Sequence, residues 1–292
     1  MSQPDTLVSI GLPLRNAGES VVDVVESVLA QDHADIELVI SDNASTDDSQ
    51  DVCQALADKD ERIRYHRQAE NIGLMNNFVF VMRAARGRYF RWIGDDDRLE
   101  PAYVSRTAGV LAADPRLILV TSQTAYTGED GQTSTAEYHG TALGSDDPVD
   151  RFVEMLKMLL EGHLLLDPLY GTFRRDAVVD IPRRNMLRED EVFATKLALA
   201  GPWAHLNEVL SHRYWKSENQ TRIARRLDVP AWQARLSHTL KFREMLQWLD
   251  QVDLTPEQRS RARSAVHRMY LRRHQLVVLH RGRKLLRRVL GG

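Results

Sequence analysis

Residues 88–101 read RYFRWIGDDDRLEP. Arg88–Ile93 is rich in aromatic and β-branched residues and predicts a short buried strand. Gly94 ends it, three aspartates follow at once (Asp95, Asp96, Asp97), and Pro101 suits the first turn of a helix. Three carboxylates on one tight turn repel each other unless a cation sits among them. A hard divalent ion takes one or two carboxylates while bridging substrate phosphates. The plainer alternatives are a solvated acidic turn, or Asp97 as a helix N-cap. The position of the turn, at the carboxyl end of a strand, favours the ion.

The same alternation continues on both sides of this stretch. Upstream, Leu7–Leu14 (LVSIGLPL) and Ile36–Ser41 (IELVIS) predict buried strands, and Arg62–His66 a third. Between them, Val21, Val24, Val25, Val28 and Leu29 fall at helical spacing within residues 20–31. Ser45 or Thr46 would cap a helix running to about Asp58, and residues 73–86 predict another. Downstream come a helix from Pro101 to about Ala113 and a fifth strand over Leu117–Ser122. Strands alternating with helices imply right-handed crossovers, hence an α/β, Rossmann-type, mostly parallel sheet flanked by helices. Ligands of such sheets bind beyond the carboxyl ends of the strands. Here those ends carry Leu12-Pro13-Leu14, Asp42-Asn43 and Gly94–Asp97.

Residues 124–148 are polar and aperiodic and predict a hairpin or loop. Beyond them the pattern predicts a helix over Arg151–Leu160, a strand over Leu169–Arg174, a helix over Val192–Ala200 and a strand over Val209–Trp215. Everything after Pro230 is patterned as helix, with breaks near Leu254–Pro256 and at Gly282. The expected organisation is a domain over 1–225, in two halves (1–122 and 123–225), followed by a basic helical extension over 226–292.

Composition excludes several classes. The 292 residues are 43% hydrophobic and 27% charged, which rules out collagen-like and wholly disordered chains. One cysteine, Cys53, gives no disulfide framework and, on a helix's apolar side, no nucleophile motif. The first 15 residues lack the pattern of a secretory signal, and no run of 18 apolar residues occurs. The net charge of −2 conceals an asymmetry: residues 255–292 hold 11 of the 39 basic groups and one of the 41 acids. An acidic body thus carries a basic tail. Apolar residues at Val266, Met269, Tyr270, Leu276, Val277, Leu279, Leu285, Leu286, Val289 and Leu290 make that tail amphipathic. Such a helix lies on an anionic membrane, packs on the body or self-associates into a homo-oligomer; nucleic acid is the weakest reading.

Taken in order, VSIGLPLRN, ELVISDNASTD, ENIGLMNN, WIGDDDRLEP and Arg188-Glu189-Asp190 form an ordered set. The set resembles the family-two inverting glycosyltransferases of the GT-A fold and covers residues 7–215. The resemblance implies a nucleoside-diphosphate sugar donor and a divalent metal, Mg or Mn. It implies a glycan or lipid-linked acceptor, as in bacterial surface polysaccharide synthesis, and a cytoplasmic enzyme, peripheral on the inner membrane face. Leu12 and Pro13 would line the nucleotide cleft through their backbone, with Arg15 and Asn16 close by. Asp42 would accept an N–H of the base, and a uracil or thymine imide suits a carboxylate, favouring UDP or dTDP. Asn71 and Gly73 match an Asn-x-Gly motif, with Gly73 relieving backbone crowding; Asn76 or Asn77 would reach ribose or phosphate. Asp95 and Asp96 would face the donor, with Asp96 and Asp97 as metal ligands. Where the family usually has Asp-x-Asp-Asp, Gly94 replaces the first Asp.

Asp190 would be the general base, because inverting transfer is one in-line displacement and the attacking hydroxyl must lose a proton. Glu189-Asp190-Glu191 would equally serve as the acidic first turn of a helix. His212 lies near where relatives place a histidine on the metal or diphosphate, although Trp215 holds that approximate position. Arg213 or Lys216 would be an alternative phosphate clamp. His139, His163 and His205 lack metal-ligand spacing. The rival readings are a sugar nucleotidyltransferase and an inactive nucleotide-sugar or membrane-binding adaptor. The former ranks lower because no Gly-rich basic loop follows the first strand.

Overall fold

The computed structural model describes residues 6–161, 167–215 and 219–290. His163 and Lys216 lie outside the described residues, as do the side chains of the apolar tail positions from Leu276 onward. The first half of the chain runs β1 (Val8–Leu14), α1 (Val21–Leu29), β2 (Ile36–Asp42), α2 (Ser49–Ala57), β3 (Ile63–Arg67), α3 (Leu74–Ala84), β4 (Tyr89–Trp92), β5 (Arg98–Leu99), α4 (Tyr103–Ala113), β6 (Leu119–Gly128) and β7 (Thr133–Ser134). The second half runs α5 (Pro148–Glu161), β8 (Thr172–Arg174), α6 (Arg175–Val178), α7 (Glu189–Ala200), β9 (Trp203–Trp215), α8 (Gln220–Arg226), α9 (Gln233–Leu249) and α10 (Pro256–Leu290).

One sheet runs through these strands in the order β3-β2-β1-β4-β8-β6-β9-β5, with β7 on β6. β3, β2, β1 and β4 are parallel. β8 enters antiparallel between β4 and β6, so β6 and its parallel neighbour β9 run the same way as the first four. The sheet is therefore mostly parallel, as the alternation requires, with β5, β7 and β8 reversed. The polar stretch after residue 122 resolves into the β6–β7 hairpin, closed where Gly128 N–H bonds the Gln132 carbonyl at 2.9 Å.

Both faces of the sheet are covered because both faces are apolar. On one, Val21, Val24, Val25 and Val28 of α1 and Tyr103, Val104 and Leu111 of α4 pack on Ile10, Leu12, Leu38 and Ile40. On the other, Val81 and Met82 of α3 and Phe193 and Leu197 of α7 pack on Val39, Phe90 and Trp92. Trp92, fully buried, meets Phe90, Phe173 and Phe193 edge-on at centroid separations of 5.0, 5.4 and 6.0 Å. Its indole N–H donates to the Phe78 carbonyl at 2.8 Å. This aromatic lock sits at the end of β4, immediately before the acid turn, and fixes where that turn begins.

The C-terminal helices settle part of the tail question. Ala262, Ala265, Val266 and Met269 of α10 are buried against Val149, Phe152 and Leu156 of α5 and Met245 and Leu249 of α9. Arg261 pairs with Asp147 and Asp150 at 2.8 and 2.7 Å, so the first part of the tail packs on the body and meets its acids. α10 passes through Gly282 without the expected break, since one glycine costs a helix only about 1 kcal/mol. α2 starts at Ser49, later than expected, because Ser45 and Thr46 are engaged by Asn16. Among the described residues no helix is long and apolar enough to cross a membrane.

Candidate active site

The parallel register brings the predicted motifs to one end of the sheet: Leu14 lies opposite Asp42, and Gly11 opposite Trp92. Past β1 the chain turns through Asn16, in the left-handed region at φ 55°. Asn16 N–H donates to Ser45 Oγ at 2.8 Å, and its side-chain oxygen accepts from Thr46 N–H at 2.9 Å. These bonds join the loops after β1 and β2. Leu12 and Pro13 are buried in β1, and Arg15, just past its end, is exposed.

Asp42 is fully buried, and its carboxylate already has protein partners. Ser45 N–H donates to Oδ1 at 2.8 Å; Tyr65 O–H and Arg67 donate to Oδ2 at 3.0 and 2.5 Å. A carboxylate offers about four acceptor positions. Three are used and one is left, on a side chain closed to solvent.

Asn71 is bonded through Asn43, whose amide N–H donates to the Asn71 oxygen at 2.8 Å. Gly73 begins α3 at φ 85°, and a Cβ there would meet open space. Its need for glycine is therefore the backbone angle and not crowding, which corrects the expectation. Asn77 is buried: it accepts from Ser41 Oγ at 2.6 Å and donates to the Ser41 carbonyl at 3.0 Å, a purely internal tie. Asn76 is exposed and donates to the Ile72 carbonyl at 2.8 Å.

In the acid turn the three aspartates separate. Asp95 and Asp96 are half-buried, and Asp97 is buried. Asp97 Oδ2 accepts from Gly94 N–H at 2.9 Å, and Oδ1 accepts from Arg213 Nε at 3.0 Å. Gly94 permits this closure, since a Cβ there would stand 3.0 Å from Asp97 Oδ2. Arg213 also donates to Asp167 and stacks 3.6 Å above the Tyr170 ring. Burial opposes its charge, but Tyr170, Asp97 and Asp167 outweigh that and hold the guanidinium well above its usual range. Arg213, considered above as a phosphate clamp, thus acts as an internal bridge. His212 is its neighbour on β9 and points to the opposite side. There it bonds Glu100 at 2.6 Å, so the structure does not bring His212 to the aspartates.

Glu189, Asp190 and Glu191 form the first turn of α7, as their charge leads one to expect. Asp190 is exposed and lies among other acids. Loss of hydration, then the like charges of Glu191, Asp167 and Glu189, push its carboxyl up to about 6. Asp167 is also raised, mainly by burial, and lies close enough to act on Asp190 while bonded to Arg213. Arg213 thus ties the acid turn to Asp167, whose charge in turn acts on Asp190 at the acidic helix start.

The sequence alone gave no sign of Asp167 or of the Tyr170 stack, because their partners lie far away along the chain. Other titratable groups are unsuited to chemistry: burial pushes the Cys53 thiol up to about 12 and the His205 ring down to about 4. A recess between α5 and α10, lined by Asp150, Glu154, Arg261 and Arg268, shares no residue with this site.

Comparison with known proteins bears on the fold and the family. The putative teichuronic acid biosynthesis glycosyltransferase TuaG of Bacillus subtilis is 37% identical over 92 residues, covering 32% of this chain and 36% of that one. The chain spans about a third of the length of the curated relatives first matched. Among solved structures, S. aureus TarS 1–349 superposes with TM-score 0.63 at 14% identity, over 90% of this chain and 71% of that one. TarS 1–349 has also been solved with UDP-GlcNAc. The Pyrobaculum calidifontis mannosyltransferase PcManGT, in complex with GDP-Man and Mn2+, superposes with TM-score 0.56 at 15% identity, over 95% and 79%. At these identities the structural matches establish the fold, which is GT-A-like. The model of Glycosyl transferase family 2 matches residues 9–180, more than half of the sequence. On that match, the chain belongs to glycosyl transferase family 2.

Proposed function

We propose that this glycosyltransferase moves a sugar from a nucleoside diphosphate to an acceptor hydroxyl with inversion, and that Asp190 is the general base. The observation that carries the reading is the Asp190 carboxyl itself: exposed at the start of α7, raised to about 6 among acidic neighbours, and close to Asp167, which Arg213 ties to the acid turn. A base is most effective when its pKa lies near the working pH, and an acceptor hydroxyl attacking in line must give up its proton.

On the donor side, Asp42 with Leu12, Pro13, Arg15, Asn71 and Gly73 forms the nucleotide wall. Its one remaining acceptor position suits the imide N–H of UDP or dTDP. The acid turn fits Mg or Mn. Among the described residues no group of three side chains could hold a metal alone, and a hard ion shared with phosphates requires only one or two protein carboxylates. Asp96, with Asp95 beside it, would hold the ion. Asp97, bonded to Gly94 and Arg213, holds the turn. When bound, the ion neutralises charge on the departing diphosphate.

We read residues 1–225 as the catalytic domain and take the acceptor to be a glycan or lipid-linked sugar of a surface polysaccharide, in keeping with TuaG. Exposed Arg268, Leu271 and Arg272 on α10 suit an anionic inner-membrane surface.

The test is a donor screen with Mn²⁺, following nucleoside diphosphate release to water or added glycans. Asp190→Asn should cut release by about 10²–10⁴-fold with unchanged thermal stabilisation by the diphosphate. Full release by that variant removes Asp190 from the base role. No stabilisation by UDP, dTDP or GDP removes the donor site.

A further inference from the structure

The three acids that open α7 have different surroundings. Glu189 is taken by Arg183, whose Nε lies 3.0 Å from Oε1 and whose Nη2 bonds Oε2. Arg183 is itself buried, 4.5 Å from the Phe193 ring. Glu191 is taken by two cations: Arg188 Nη1 at 2.5 Å from Oε1, and Lys241 Nζ on Oε2. Among the described residues no arginine or lysine pairs with Asp190.

Lys241 belongs to α9, well beyond the residues that match the family. It is only 5% exposed and lies one turn from Ser237, whose hydroxyl meets Arg188 Nε at 3.3 Å. Glu244, on the same face, takes Arg184 at 2.5 Å and Lys196 at 3.6 Å. Helix α9 thus buries a polar stripe, Ser237, Lys241 and Glu244, against the segment that leads into α7. Buried ion pairs seldom stabilise a fold more than apolar packing of equal volume. Arg188, in addition, holds the left-handed conformation at φ 62°, which a long side chain rarely adopts. A charged interface and an unusual backbone next to one carboxylate point to control of that carboxylate.

We propose that α9 completes the catalytic centre: Lys241, with Arg188, holds Glu191 as a closed ion pair, so that Asp190 alone of the three acids takes the acceptor's proton. Lys241 is a positioning residue, acting through Glu191. The inference rests on Asp190 being the base. The charges around Asp190 are Glu189 and Glu191 on its own helix, Asp167 from the loop before β8, and Arg183, Arg188 and Lys241 behind the two glutamates. His238, also on α9, is pushed down to about 4 by burial and is neutral at working pH. Burial opposes ionisation of Glu191, but Lys241 and Arg188 outweigh it and keep the carboxyl below its usual range.

The experiment is a carbon-13 NMR titration of the full chain labelled at aspartate carboxyls, with the Asp190 signal assigned by its loss in Asp190→Asn. It requires neither donor nor acceptor, so it stands apart from the test of the base role. Lys241→Met leaves Glu191 less compensated and should raise the Asp190 midpoint by roughly half a unit or more. Glu191→Gln removes the like charge and should lower it by a similar amount. The double variant should return it toward the wild-type value. Unchanged midpoints, or single variants moving the same way, overturn the proposal. If Lys241→Met does not fold, Glu191→Gln decides: a lowered midpoint supports the proposal, and an unchanged or raised one overturns it.

Discussion

Arg213 and Asp97 stand 116 positions apart in the chain, yet the Nε of one lies 3.0 Å from the Oδ1 of the other. Strand β9 thereby reaches the turn that follows β4, and the same guanidinium holds Asp167. The acid turn is thus anchored from the half of the molecule that carries Asp190.

Breaking that bridge should affect folding and catalysis together. Arg213→Ala leaves Asp97 buried without its cation, a change that typically costs about 3–5 kcal/mol. Arg213→Lys keeps the charge but not the fork that spans two carboxylates, and should recover only part of the loss. Urea unfolding of both variants, with diphosphate release measured in parallel, checks this.

Acidification should switch the enzyme off. As the proposed base, Asp190 would take a proton only when ionised, and its carboxyl is pushed up to about 6. Turnover per donor should therefore be full above pH 7 and fall about tenfold for each unit below 6. A rate profile flat down to pH 5 contradicts the assignment.

Removal of one carboxylate from the acid turn should separate metal from nucleotide binding. Asp96→Asn should weaken Mn²⁺-dependent stabilisation by UDP at least about tenfold. The metal-free melting temperature should stay close to that of the parent, because Asp96 is half-exposed. Thermal shift with and without chelator measures both.

A purely structural charge lies at the opposite ends of the strands. Glu37 accepts from Ser9 Oγ at 2.5 Å, Arg86 N–H at 2.6 Å and Arg64 at 2.9 Å. Burial opposes its ionisation, but these three donors outweigh it and lower the carboxyl below 4.5. A lowered carboxyl stabilises the fold above its unfolded value, and the benefit fades as pH falls through the folded one. Glu37→Gln should cost about 2–3 kcal/mol at pH 7, with the gap to wild type closing only below pH 4.5. Denaturation at pH 7 and pH 3 tests it.

The strands and helices up to residue 122 were legible because each has its own period and its own turn signal. What sequence does not carry is who meets whom. β5 spans two residues, too few for any alternation, and β8 enters the sheet between β4 and β6 by pairing across long separations. In the site, Asp42, Asp96 and Asp190 stand out by following strands or opening a helix. Asp167, Arg183 and Lys241 have no such marker, since each acquires its meaning from a partner in a different element. Asn77 and His212 illustrate the converse: their residue types suggested ligands, and packing turned one inward and the other toward Glu100.

Strand β5, which leaves the acid turn, is itself hydrogen-bonded to β9, with Arg98 opposite His212 and Leu99 opposite Ser211. The turn is therefore stapled at entry by β4 and at exit by β5, and crossed in the middle by Arg213. A loop so tethered has little freedom left to surrender when a ligand arrives. Its preorganisation removes an ordering cost that a free loop of the same composition would bear on every cycle.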